Sequence, residues 1–168
     1  GRLCGPGDQD EIRPGHCTWP VYGVMGMNRA HVTPRQAEAL VGLPYVDGEF
    51  DCVHLAVRAQ AELWGRVVRL PAGTRHPRGR LGQIAAIERS RGQVVDAVDV
   101  PESGDIVLMR QRLADGGFQY HVGTLVIHAG QRWVLHVFEG HHSVLQPEAD
   151  VYMDGTTRDG YYRWRSVA

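Results

Sequence analysis

Between Asp51 and Gly65 the side chains alternate with helical period. Val53, Ala56, Val57, Gln60 and Trp64 fall on one face, and Leu55, Ala59 and Leu63 widen it. Asp51 is a favoured N-cap residue, because its carboxylate can accept from the N–H groups that open a helix. Gly65 supplies the left-handed stop. The pattern predicts one buried helix with Cys52 in its first turn. Upstream, Thr33-Pro34-Arg35-Gln36 is a capping box with Pro at the first helical position, predicting a short helix to about Val41 before Gly42 and Pro44 end it. Leu43 to Gly48 is a turn-rich connector. Leu70 to Arg80, rich in Pro, Gly and Arg, is a mobile surface loop by composition. A second short helix follows over Leu81–Arg89, with Leu81, Ile84, Ala85 and Glu88 on one face.

The remainder changes period. Short runs of β-branched residues predict strands at 94–95, 105–109, 120–128, 132–138 and 143–146, with an aromatic strand at 161–165. Ala129-Gly130-Gln131 reads as a three-residue hairpin loop. Helices first and strands afterwards give an α+β class, with helices packed on an antiparallel sheet of about five or six strands. Residues 1–28, with Gly-Pro-Gly and no sustained period, form an irregular extension, and 29–168 a single domain.

The composition excludes several function classes. A net charge of −1 gives no electrostatic case for nucleic acid. There is no leader of the basic-then-apolar type and no run of about 18 apolar residues, so neither a signal peptide nor a membrane span is expected. Three cysteines, Cys4, Cys17 and Cys52, are an odd number and make no disulfide framework. Cys4, His16 and Cys17 are too sparse for zinc. No cofactor motif is present, because no phosphate-cradling glycine loop occurs.

Cys52 then becomes the centre of interest. The positive end of a helix dipole stabilises a thiolate, the reactive form of cysteine, although a small buried core residue would look the same in sequence. Counting outward from Gly130 sets His121 opposite about position 138, hence within neighbour range of His136. If that face of the sheet turns inward against the cysteine helix, Cys52, His121 and His136 make a nucleophile–base–orienter set. His121 would take the thiol proton or hold the thiolate as an ion pair, His136 would fix its tautomer, and the Cys52 N–H is an oxyanion donor. Each histidine taken singly also reads as a satisfied strand residue. A competing metal site over His136–His142 lacks helical His-Glu-x-x-His spacing, so no metal is expected.

Leu43-Pro44-Tyr45 followed by Asp51-Cys52, then Ser103-Gly104-Asp105-Ile106-Val107-Leu108, His121-Val122-Gly123 and Leu135-His136-Val137 together resemble the NlpC-type cell-wall cysteine peptidases, a papain-like family. The compact size is most similar to members carried on bacteriophage tails. The resemblance implies a papain-like fold and hydrolysis of amide bonds in peptidoglycan stem peptides, of the D-γ-glutamyl–diaminopimelate type. It implies Cys52 as nucleophile, His121 as base, His136 as third residue, and Tyr45 and Asp51 at the oxyanion or substrate. It also implies a location in the cell envelope, outside the cell or in a phage virion, with other tail or envelope proteins as partners. Two departures stand out: Val53-His54 replaces the usual Ser-Gly, and Val46-Asp47-Gly48 replaces Trp-Gly-Gly. The alternatives from other classes are a non-catalytic tail-tip binding module and a thiol amidase or acyltransferase of the same superfamily.

Overall fold

The computed structural model describes residues 31–71, 79–153 and 155–165. The expected extension over 1–28 and most of the expected loop over 70–80 lie outside these. Thr33 caps the first helix as its sequence requires: its hydroxyl accepts from the Gln36 N–H, and the Gln36 side chain answers the Thr33 N–H. That helix, α1 (Pro34–Ala37), tightens into a 3-10 turn over Glu38–Leu40. Helix α2 (Cys52–Trp64) begins on Asp51 and ends at Gly65, whose φ of 66° is the expected left-handed cap. Its buried stripe is Leu55, Ala56, Ala59, Gln60, Leu63 and Trp64, while Val53 and Val57 are half-covered.

Helix α3 (Gly79–Ser90) exists where expected but is rotated. Leu81, expected inside, is 81% exposed, and Ala86 is the buried residue. A polar contact helps set this orientation: the Gln83 side-chain oxygen accepts from the Tyr120 N–H at 2.9 Å, holding Gln83 toward the sheet. Six strands follow: β1 (Val95–Val98), β2 (Ile106–Arg112), β3 (Phe118–His128), β4 (Gln131–His136), β5 (Val144–Pro147) and β6 (Thr156–Trp164). A one-turn helix, α4 (Glu148–Val151), precedes β6 and was not expected from the sequence.

The strands form one antiparallel sheet in the order β1-β6-β2-β3-β4-β5. The α+β class and the strand number therefore stand. The β3–β4 hairpin turns on two residues rather than three. Ala129 and Gly130 both take positive φ, the geometry that matches strand twist, and His128 pairs directly with Gln131. Asp105 locks β2 to β6, since Arg163 grips both its carboxylate oxygens at 3.1 and 2.9 Å. Its neighbour Gly104 gives its carbonyl to the Gln60 side chain at 2.8 Å, tying this corner to α2.

The two faces of the sheet carry separate cores. On one face Val126, Leu135 and Val137 pack under α1 and α2, and Ile106, Leu108, Tyr162 and Trp164 continue that face. On the other, Val107, Met109, Leu125, Val134 and Tyr161 pack with Val151 of α4. Alternation of side chains along each strand makes this division obligatory.

Candidate active site

The N-terminus of α2 is built by Asp51. Its carboxylate accepts from the N–H groups of Val53 at 2.9 Å and His54 at 3.0 Å. The His54 ring turns to the same oxygen, with Nδ1 2.8 Å away. Cys52, in the first turn, is half-buried and is a free thiol.

His121 and His136 meet as the hairpin count predicts. Nε2 of His121 lies 3.0 Å from Nδ1 of His136, with only 4% and 1% of the two residues exposed. Phe138 encloses them, stacking on His121 at 4.1 Å and meeting His136 edge-on at 4.8 Å. Gly123 stands at the close approach: an added Cβ would lie 2.4 Å from Val134 Cγ1 and 3.5 Å from His136 Cβ. The glycine of the His-Val-Gly run is thus required by space rather than by backbone angle.

One expectation is corrected. The face bearing both histidines does not turn inward against α2. His121 pairs opposite Met109, and Gly123 abuts Val134 and Met109, so the imidazoles stand on the α4 side of the sheet. Cys52 shares a cavity lining with His121 where the sheet opens. The β3–β4 ladder stops at Thr124 and Leu135, and beyond it the Val122 N–H lies near enough to the Cys52 thiol to favour its charged form. The sulfur therefore sits beside the residue next to His121. Among the described residues no hydrogen bond joins it to either ring. Cys52, His121, Val122, Val137 and Phe138 line one cavity of about 630 Å³.

The electrostatics correct a second expectation, that of a resting thiolate. Burial, then the Asp51 carboxylate, push the Cys52 thiol up to about 12, outweighing the N–H groups of Val122, Val53 and Cys52 itself. The capping carboxylate offsets the helix dipole at this end. Burial, reinforced by the neighbouring His136, holds His121 well below its ordinary value. Burial brings His136 down to about 4, with the Gln146 side chain acting in the opposite sense. The resting site is a neutral thiol beside two neutral imidazoles.

Tyr45 lines the same cavity with Asp47, Asp51 and Glu139. Its phenol is raised by burial and by the Glu139, Asp51 and Asp47 carboxylates, so it stays a hydrogen-bond donor. It is held there by a zipper between the connector and the segment after Phe138. The Tyr45 N–H donates to the His141 carbonyl at 2.9 Å, and the Leu43 N–H donates to the Ser143 hydroxyl at 2.8 Å. Among the described residues no group of three His, Cys, Asp or Glu side chains could hold a metal.

Three neighbours of the site escaped the sequence reading. Phe138 and Ser143 carried no motif signal. Gln146 lies on β5 opposite Val134, two pairs along from the His136–Val144 pair and hence on the same face. Its side chain flanks His136, whose Nε2 closes no hydrogen bond among the described residues. Strand parity could have found it once the β4–β5 register was known.

No family model matches the chain, and no curated protein or solved structure matches it.

Proposed function

We propose that the protein is a cysteine peptidase of papain-like, NlpC-type architecture that hydrolyses amide bonds in peptidoglycan stem peptides. The observation that carries this reading is the buried His121–His136 pair beside the strand gap where the Cys52 sulfur sits. The stem-peptide substrate, of the D-γ-glutamyl–diaminopimelate type, and an envelope or phage-tail setting come from the motif resemblance. The acidic rim of Asp47 and Glu139 suits the amino group of a diamino acid.

Proton counting assigns the roles. Each neutral imidazole carries one N–H, so one ring donates and the other accepts across the 3.0 Å contact. If His136 keeps its proton on Nε2, facing Gln146, its Nδ1 accepts from His121 Nε2–H. Nδ1 of His121 is then the free base. On substrate binding the ring and sulfur close the remaining gap, as catalytic contacts do in a Michaelis complex. The Cys52 proton passes to His121 Nδ1 as sulfur bonds to the scissile carbonyl carbon. The developing oxyanion takes the Cys52 N–H and the Tyr45 hydroxyl. The C–N bond then breaks, His121 returns the proton to the leaving amine, and a thioester remains. Water, deprotonated by His121, hydrolyses it and restores the thiol.

Gln146 is in this scheme a positioning residue. Gln146→Ala should lower kcat by about tenfold with little change in KM, and Gln146→Glu should restore part of it, because a carboxylate there can accept from His136 Nε2. The main test is digestion of purified sacculi followed by mass analysis of the fragments. Wild type should release new peptide termini that Cys52→Ala does not, and identical fragments from both would refute the assignment. One observation favours a second reading, a thiol amidase or acyltransferase: the wall of the cavity beyond Cys52 is apolar.

A further inference from the structure

The cavity that opens on Cys52 runs back between α3 and the sheet, and its two ends differ in chemistry. Near the sulfur it is rimmed by Tyr45, Asp47 and Glu139. Its deep end is walled by Ala86, Ile87, Ile106, Leu108, Tyr162 and Trp164. Ala86, Ile106, Tyr162 and Trp164 keep 7–8% exposure here, while Ile106, Leu108, Tyr162 and Trp164 also pack on one another as part of the core. About 630 Å³ is in the range of cavities that hold drug-sized ligands. The nearest cation is already engaged: Arg91 donates to the Tyr162 hydroxyl at 2.6 Å and pairs with Glu88 at 3.0 Å.

From this the structure assigns the apolar end of the cavity as a subsite for an uncharged, apolar acyl group. It rests on the reading of Cys52 as nucleophile, since continuity with the sulfur is what makes the bound group the acyl half of a substrate. A γ-glutamyl group would bring a free carboxylate to this apolar wall, so the subsite belongs with the second reading above, a thiol amidase or acyltransferase, and not with the stem-peptide reading.

Binding and chemistry can be read separately. In the Cys52→Ala protein, fatty amides of increasing length should bind about fourfold more tightly per added methylene until the cavity fills. Ala86→Phe, which occupies the space, should abolish that gradient. In the wild type, kcat/KM for p-nitrophenyl acyl esters should rise in parallel from acetyl to octanoyl. Affinities that do not depend on length, or a gradient that survives in Ala86→Phe, would overturn the subsite. If ester turnover depends on Cys52 but not on acyl length, the subsite falls while the nucleophile stands. If the amides show the gradient but no Cys52-dependent turnover occurs, the cavity binds apolar groups and its assignment as an acyl subsite is overturned together with the nucleophile.

Discussion

Burying two neutral imidazoles makes stability fall in mild acid, and the size of the fall follows from the site. His136 has its folded pKa depressed from an ordinary 6.5 to about 4. The folded state thus refuses a proton that the unfolded chain accepts. The sign is fixed: this contribution is complete above pH 6.5 and declines as pH falls, levelling off below about 4. Between pH 7 and 5, where most carboxylates remain ionised, His136 alone should remove about 2 kcal/mol. His121, depressed by burial and by His136, acts in the same direction. Against a typical total of about 5–15 kcal/mol this is a large share. Urea unfolding followed by tryptophan fluorescence would show it as a midpoint lower by roughly 1 M at pH 5 than at pH 7. His136→Gln should lose the His136 share of that slope and keep the part that burial of His121 supplies. A stability curve that is flat or rises from pH 7 to 5 in the wild type would refute a neutral buried pair.

Further outcomes follow from the same geometry. Gly123→Ala forces a methyl to within 2.4 Å of Val134 Cγ1 and should cost about 1–3 kcal/mol, seen as a lower Tm; an unchanged Tm would mean that β3 and β4 yield freely there. With its thiol pushed up to about 12, Cys52 should react slowly with iodoacetamide at pH 6, and its rate should climb about tenfold per pH unit from 7 to 9. Fast labelling at pH 6 that does not change with pH would show a resting thiolate–imidazolium pair instead.

What the sequence disclosed was governed by local rules. Asp51 and Gly65 mark the ends of α2 because caps act within one turn, and the Thr33–Gln36 box marks α1 for the same reason. The His121–His136 contact was legible in outline because a hairpin register is a counting problem, and it is the two-residue turn, pairing His128 with Gln131, that puts both histidines on one face where a three-residue loop would have split them. Which face the helices cover is decided by total burial over the whole sheet, and period-2 alternation is silent on it. The expectation that the histidine face meets α2 failed there. The rotation of α3 goes with a long-range contact, Gln83 to Tyr120, that no helical periodicity encodes. Insertion of β6 between β1 and β2, and the one-turn α4, are likewise tertiary outcomes of strand pairing.

The central claim is that Cys52 and His121 act as one nucleophile and base. Its most direct measurement is rapid-quench mass analysis of the protein mixed with p-nitrophenyl acetate. The account predicts an acetyl adduct on the Cys52 peptide in the wild type, absent in Cys52→Ala, and formed about 100-fold or more slowly in His121→Ala. An adduct that forms equally fast without His121, or that settles on another residue, would contradict it.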